Sequence, residues 1–147
     1  MGRHTAQADP PLKPMKVEVL VTWDGTRFHY EQKHEHKDHG EGDKIKAPKT
    51  EGCSIRFKLK PASGLDIQFD AKAPFFVREG VAAGCPDTLD SKQIEIDSCE
   101  ADELVVIDWN YEECDLQYQI NFVTSHGAHC NPYDPVIQNT GGGIKPS

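Results

Sequence analysis

The segment Leu116-Gln117-Tyr118-Gln119-Ile120-Asn121-Phe122 alternates apolar and polar side chains without a break. Because successive side chains of a β-strand point to opposite faces, the four apolar residues share one face. The pattern predicts a strand with one face on a core and the other in water. Tyr118 lies near the start of this strand, and we expect its phenol to hydrogen-bond a backbone group upstream, as in a tyrosine corner.

The same alternation recurs along the chain. It begins at Lys16 to Trp23, and the Asp24-Gly25 pair that follows predicts a hairpin turn. Further strands are predicted at 27–31, 43–47, 53–60, 65–70, 74–78, 93–97, 103–109, 116–123 and 134–138. The predicted core is Val17, Val19, Val21, Trp23, Ile55, Phe57, Leu59, Ile67, Phe69, Val106, Leu116, Tyr118, Ile120 and Phe122.

Short strands with turn residues between them, and no helical periodicity, predict an all-β protein. We expect a single β-sandwich of immunoglobulin-like size with seven to nine mostly antiparallel strands. The 147 residues suffice for one domain. We place the sandwich at residues 15–139, a disordered Pro-containing tail at 1–14 and a flexible Gly-rich tail at 140–147.

Two segments carry a resemblance to known proteins. The strand Tyr118-Gln119-Ile120-Asn121-Phe122, followed by Asp134-Pro135-Val136-Ile137-Gln138-Asn139, resembles a group of small uncharacterised bacterial proteins, the DP-EP family. The likeness covers the C-terminal third of the chain. It implies a β-sandwich and a bacterial type of protein, and it implies no catalytic or binding residue.

Charge is unevenly distributed. Residues 79–115 hold twelve acidic residues and one basic residue, Lys92, for a net charge of −11, whereas the whole chain carries −8. Such an acidic field repels nucleic acid and anionic lipid, and no apolar run reaches the ~20 residues that span a bilayer. We therefore expect neither nucleic acid nor membrane as a partner. Because the 13–78 segment is net positive, complementary surfaces predict a homodimer.

Cysteine usage predicts the cellular compartment. An odd number of cysteines and a polar N-terminus without an apolar signal region predict reduced thiols in a cytoplasmic protein. Cys53 opens an alternating apolar series, which is typical of a small buried side chain. The five cysteines are Cys53, Cys85, Cys99, Cys114 and Cys130.

Two histidine clusters are candidate metal sites. His34 and His36 share a face if the second strand continues, and with His39 they offer nitrogen ligands to zinc, nickel or copper. The second cluster is His126, His129 and Cys130, to which Cys114 adds a fourth ligand across the sandwich end. The alternative for both clusters is a solvated polar loop, with Cys130 packed on the core.

Binding regions of sandwich proteins lie in the loops at their ends. The longest predicted loops are 32–42, 79–92 and 124–133. We expect 32–42 and 124–133 to meet at one end, because their combined histidines would make a metal site plausible there.

No sequence motif indicates catalysis. The chain has no Gly-x-Ser-x-Gly, no P-loop, no Gly-x-Gly-x-x-Gly and no His-Glu-x-x-His. We therefore predict a non-enzymatic binding or interaction module without a cofactor, of unknown ligand. The alternative is a metal-binding protein or metal-dependent enzyme that uses the histidine clusters.

Overall fold

A computed structural model describes residues 12–80 and 86–145. These residues form thirteen strands and one 3₁₀ turn of three residues, so the all-β prediction is confirmed. No helix in this part of the chain is long and apolar enough to cross a membrane. In chain order the elements are β1 (Leu12–Trp23), β2 (Phe28–His34), the 3₁₀ turn (Lys37–His39), β3 (Gly40–Glu41), β4 (Lys44–Lys46), β5 (Gly52–Pro61), β6 (Gln68–Phe69), β7 (Phe75–Glu79), β8 (Leu89–Asp90), β9 (Ile94–Cys99), β10 (Glu103–Asp108), β11 (Glu113–Ile120), β12 (Phe122–Val123) and β13 (Val136–Thr140).

The strands form three sheets. Sheet A has the order β2-β1-β5-β10-β9, sheet B the order β3-β4-β13-β11-β7-β8, and β12 pairs with β6 in a third. Three of the pairs, β1–β5, β4–β13 and β7–β8, are parallel. The predicted single sandwich of seven to nine strands is therefore wrong in strand number and in sheet arrangement. The strands of the described residues are mostly antiparallel, as predicted. Strands β3 and β8 are two residues long, too short for alternation to reveal them.

Both predicted tails are shorter than expected. Leu12 pairs with Gly52 in the parallel β1–β5 ladder, so residues 12–14 belong to a strand. At the other end the Gly143 N–H donates to the Asn110 carbonyl at 2.8 Å. A Cβ at Gly143 would lie 2.0 Å from the Trp109 carbonyl oxygen, so only glycine permits this approach. The rest of both tails, residues 1–11 and 146–147, lies outside the described residues.

The predicted core is buried except at one position. Trp23 is 47% exposed, because it ends β1 at the hairpin tip beyond the core. Its ring packs against Phe28, the paired residue of β2, with ring centroids 4.7 Å apart. Cys53 is fully buried, as predicted. The buried predicted residues are Val17, Val19, Val21, Ile55, Phe57, Leu59, Ile67, Phe69, Val106, Leu116, Tyr118, Ile120 and Phe122.

A hydrogen bond between two buried side chains links the sheets. Tyr118 of β11 is fully buried, and its hydroxyl accepts a hydrogen bond from Gln32 Nε2 of β2. The partner is thus a side chain, and the predicted backbone partner of a tyrosine corner is wrong. Gln32 shares its strand face with Phe28, Tyr30 and His34. Its amide reaches Tyr118 of sheet B, whose ring also packs against Phe57 of sheet A.

Replacing Tyr118 by phenylalanine is expected to lower the free energy of unfolding by about 2 kcal/mol, because the buried Gln32 amide loses its partner. Urea denaturation measures the change. The control is the double variant Tyr118→Phe with Gln32→Leu, which removes both polar groups and should regain most of the loss. A loss below about 0.5 kcal/mol in the single variant would show that this bond does not support the core.

Charges of opposite sign alternate across the outer face of sheet A. Glu18 pairs in register with Lys33 on one side and Lys58 on the other, and Lys58 pairs with Glu103. The Lys58 ammonium lies 3.4 Å from the Glu103 carboxylate. Part of the acidic 79–115 segment is therefore neutralised within the chain, by β5. The homodimer stays a prediction.

Candidate functional site: a side cleft

His34, a predicted metal ligand, holds the loop that follows β2. Its Nε2 donates to the Gly42 carbonyl at 2.9 Å, and its ring packs against Gly40. A Cβ at Gly40 would lie 2.6 Å from His34 Cε1 and 2.3 Å from the Lys44 carbonyl oxygen, so glycine is needed at this position. One ring nitrogen of His34 is therefore already used to close the loop.

His36 and His39 are brought together around the 3₁₀ turn. Their rings meet edge to face with centroids 4.9 Å apart. The His36 ring is exposed, with Nε2 3.8 Å from Glu35 Oε1. His39 is only 6% exposed, and its Nδ1 is buried without a partner among the described residues.

The second histidine cluster lies in an exposed loop. His126 and His129 are exposed, and Cys130 packs on the core with its N–H donating to the Phe122 carbonyl. Cys114 accepts a hydrogen bond from Gln93 Nε2 at 3.3 Å. Cys114 lies eight residues before Phe122 along β11 and β12, roughly 25 Å of extended chain, and cannot share a ligand set with Cys130.

The two clusters lie towards opposite ends of β2. The Asn131 side chain bonds both the N–H and the carbonyl of Phe28 at 2.9 Å, which anchors loop 124–133 at the start of the strand. His34 ends the same strand, about 20 Å away. The predicted meeting of loops 32–42 and 124–133 in one metal site is therefore wrong. The described residues contain no group of three or more His, Cys, Asp or Glu that could hold a metal ion.

A cleft of about 420 Å³ opens beside the 3₁₀ turn, and we call it the side cleft. Residues from β1 of sheet A and from the β4–β13 pair of sheet B line it, together with the loop that follows β4. The buried Ala47 is part of its lining. Its charged and titratable lining residues are Lys13, Asp38, His39, Lys46, Lys49 and Glu51.

One wall of the side cleft, residues 47–51, is fixed by hydrogen bonds. Asn110 Nδ2 donates to the Pro48 and Glu51 carbonyls at 2.8 and 2.9 Å. The Ala47 N–H donates to the Gln138 carbonyl at 3.0 Å and continues the β4–β13 pairing. Within this wall Thr50 adopts a positive φ of 64°, which a residue with a branched side chain rarely adopts. The wall is thus held in a defined conformation.

The three lysines of the side cleft, Lys13, Lys46 and Lys49, form no ion pair with any carboxylate in the described part of the chain. Burial lowers the pKa of His39, and the nearby His36 and Lys13 lower it further. His39 is therefore neutral at pH 7. The side cleft carries three positive charges and two negative ones on a protein whose net charge is −8.

The four thiols of the described residues are not activated. Burial raises the pKa of Cys53, Cys99, Cys114 and Cys130, so each stays protonated at neutral pH. A catalytic cysteine needs the opposite shift. The described lining of the side cleft contains no serine or cysteine.

Sequence patterns did not indicate the side cleft. Lys13 fell in the predicted tail, Lys46 fell near the end of the predicted strand 43–47, and Lys49 fell beyond it. The parallel pairings β1–β5 and β4–β13 bring them to one place. The one available signal was the spacing Lys46-Ala47-Pro48-Lys49, a basic turn, and it is weak by itself.

No family model and no curated protein matches this chain. The resemblance to the DP-EP family therefore stays a prediction.

Proposed function

We propose that the protein is a non-enzymatic binding module that holds a small polar ligand in the side cleft. The observation that carries this proposal is the side cleft itself, whose volume of about 420 Å³ lies within the ordinary size range of small-molecule sites. The four protonated thiols in the described part of the chain and the lack of a catalytic sequence motif favour binding over catalysis. The histidine clusters add no support for a metal-dependent function, since they are far apart.

The walls of the side cleft support a site formed before the ligand arrives. Two walls are strands of different sheets, and Asn110 fixes the 47–51 wall from the loop after β10. Sites on rigid elements lose little conformational entropy on binding. The lysine head groups are the parts that must become ordered.

The proposal is tested by mapping amide chemical shifts in NMR spectra during titration with three probes: inorganic phosphate, spermidine and glucose. We expect at least one probe to cause saturable shifts at Ala47, Lys49 and Thr140, which lie in the side cleft. The Ser125 and His126 amides, in the distant loop 124–133, should not move. If no probe shifts the side-cleft amides, the proposal is wrong.

A blocking variant makes the test site-specific. Gln138 is exposed and lines the side cleft, so Gln138→Trp should fill it and abolish the shifts caused by the bound probe. Asp115→Trp is the matched control, because Asp115 is exposed, pairs with Gln138 in register and lies outside the lining of the side cleft. It should leave the shifts unchanged.

A further inference from the structure

We infer that the ligand of the side cleft carries an oxyanion group of the phosphate or sulfate type, bound by Lys13, Lys46 and Lys49. This inference rests on the proposed function, because it names the ligand class of the same site. The three lysines come from β1, β4 and the loop after β4, and they share one lining.

Charge is the first support. Three lysines without an ion-pair partner among the described residues line one cleft beside two carboxylates, on a protein that is acidic overall. Like charges that line one cleft repel, and a bound anion reduces that repulsion. Each ammonium is a compact charge with three donors, which suits phosphate or sulfate oxygens.

His39 is the second support. Its ring lines the side cleft, is 6% exposed, and has one nitrogen, Nδ1, without a partner in the described chain. Nδ1 is too deeply buried for a ligand in the side cleft to reach, so a hydrogen bond to a ligand would come from the other ring nitrogen, Nε2. A neutral imidazole keeps one N–H donor, and His39 can therefore donate to an anion without taking up a proton.

The two carboxylates narrow the ligand class. Asp38 and Glu51 accept hydrogen bonds and repel a chain of successive phosphates. They fit a small molecule that joins one oxyanion to hydroxyl donors. A sugar phosphate has this combination, whereas a nucleic acid backbone brings several successive phosphates.

The test is isothermal titration calorimetry of the full chain with inorganic phosphate, sulfate, glucose 6-phosphate and glucose as probes. We expect phosphate and sulfate to bind, glucose 6-phosphate to bind more tightly than either, and glucose alone not to bind. Lys46→Ala and Lys49→Ala should each weaken phosphate binding about tenfold, the loss of one charge-assisted contact. Thermal unfolding checks that these surface variants stay folded.

A matched control separates direct lysine–phosphate contacts from the general electrostatic attraction of a positive charge nearby. Lys44→Ala removes the same charge from the same short strand, but Lys44 does not line the side cleft. It should weaken phosphate binding by no more than about twofold. An equal loss in Lys44→Ala and Lys46→Ala would overturn the inference.

Neutralising the two carboxylates should change phosphate affinity in the direction opposite to the lysine variants. Asp38→Asn and Glu51→Gln should strengthen phosphate binding and reduce the preference for glucose 6-phosphate over phosphate. Two failures are distinguishable. Binding of spermidine or glucose in the side cleft without phosphate or sulfate overturns the oxyanion inference and leaves the binding module, whereas a side cleft that no probe shifts overturns both.

Discussion

Replacing Asp108 by asparagine is expected to stabilise the protein by about 3 kcal/mol above pH 6. Asp108 is the last residue of β10 and is fully buried, and burial raises its pKa from the usual 3.8 to about 6. The hydrogen bonds from Asn139 Nδ2 and the Asn110 N–H, both at 3.0 Å, offset part of this rise. The ionised carboxylate therefore destabilises the native state at neutral pH.

The asparagine side chain fits this environment without a charge. Its Oδ1 can keep both hydrogen bonds that Asp108 Oδ1 accepts. Asp108 Oδ2 and Asn139 Oδ1 are both buried without a partner in the described chain. An amide at position 108 adds an N–H donor beside Asn139, whose Oδ1 lacks one.

The pH dependence of the difference follows from the raised pKa. Below pH 3.8 Asp108 is protonated in both folded and unfolded chains, so wild type and variant should be similar. Between pH 3.8 and about 6, Asp108 ionises in the unfolded chain but stays protonated in the folded one. The free energy of unfolding of the wild type therefore falls over this range. Above pH 6 the difference in the free energy of unfolding between the variant and the wild type should be constant.

Urea denaturation of both proteins at pH 4 and pH 7.5 measures this effect. The control is Asp97→Asn, an exposed aspartate of the neighbouring strand β9, which should change stability by less than about 0.5 kcal/mol at either pH. If Asp108→Asn destabilises the protein at pH 7.5, the native state requires the ionised carboxylate.

The second large effect is expected at Asn110. Its replacement by alanine should lower the free energy of unfolding by about 4 kcal/mol, since several buried backbone groups lose their partner. Nδ2 donates to the Pro48 and Glu51 carbonyls, and Oδ1 accepts from the Thr140 and Gly141 N–H groups at 2.9 and 3.0 Å. One side chain thus joins the loop after β10, the wall of the side cleft and the end of β13.

Two further variants separate the loss of hydrogen bonds from the backbone strain at position 110. Asn110 has a positive φ of 49°, so Asn110→Gly keeps the hydrogen-bond loss but removes the backbone strain that alanine suffers. Glycine should therefore be about 1 kcal/mol less destabilising than alanine. Asn131→Ala is the matched control, because Asn131 also binds backbone groups but is half-buried in loop 124–133. This variant should cost about 1 kcal/mol.

Denaturant titration gives the three stabilities, and a loss below about 1 kcal/mol in Asn110→Ala would contradict the expectation. Phosphate titration adds an independent readout. Because Asn110 fixes the 47–51 wall, Asn110→Ala should also weaken binding in the side cleft, whereas Asn131→Ala should not.

Alternation along the chain predicted the strands that form the core. Val17 to Val21, Ile55 to Leu59 and Leu116 to Phe122 each bury one face. Period-2 patterning is local, so it can be read without knowing any partner strand. The exception, Trp23, follows the pattern but lies at a hairpin tip, where the core has ended.

Only the tertiary structure decided the pairing of strands and the place of the candidate site. The parallel ladders β1–β5 and β4–β13 join segments distant in sequence, and they bring Lys13 to the same cleft as Lys46 and Lys49. The same topology carries His34 and Asn131 to opposite ends of β2 and separates the histidine clusters. Side-chain period records which face of a strand is buried, and it holds no information on which strand lies beside it.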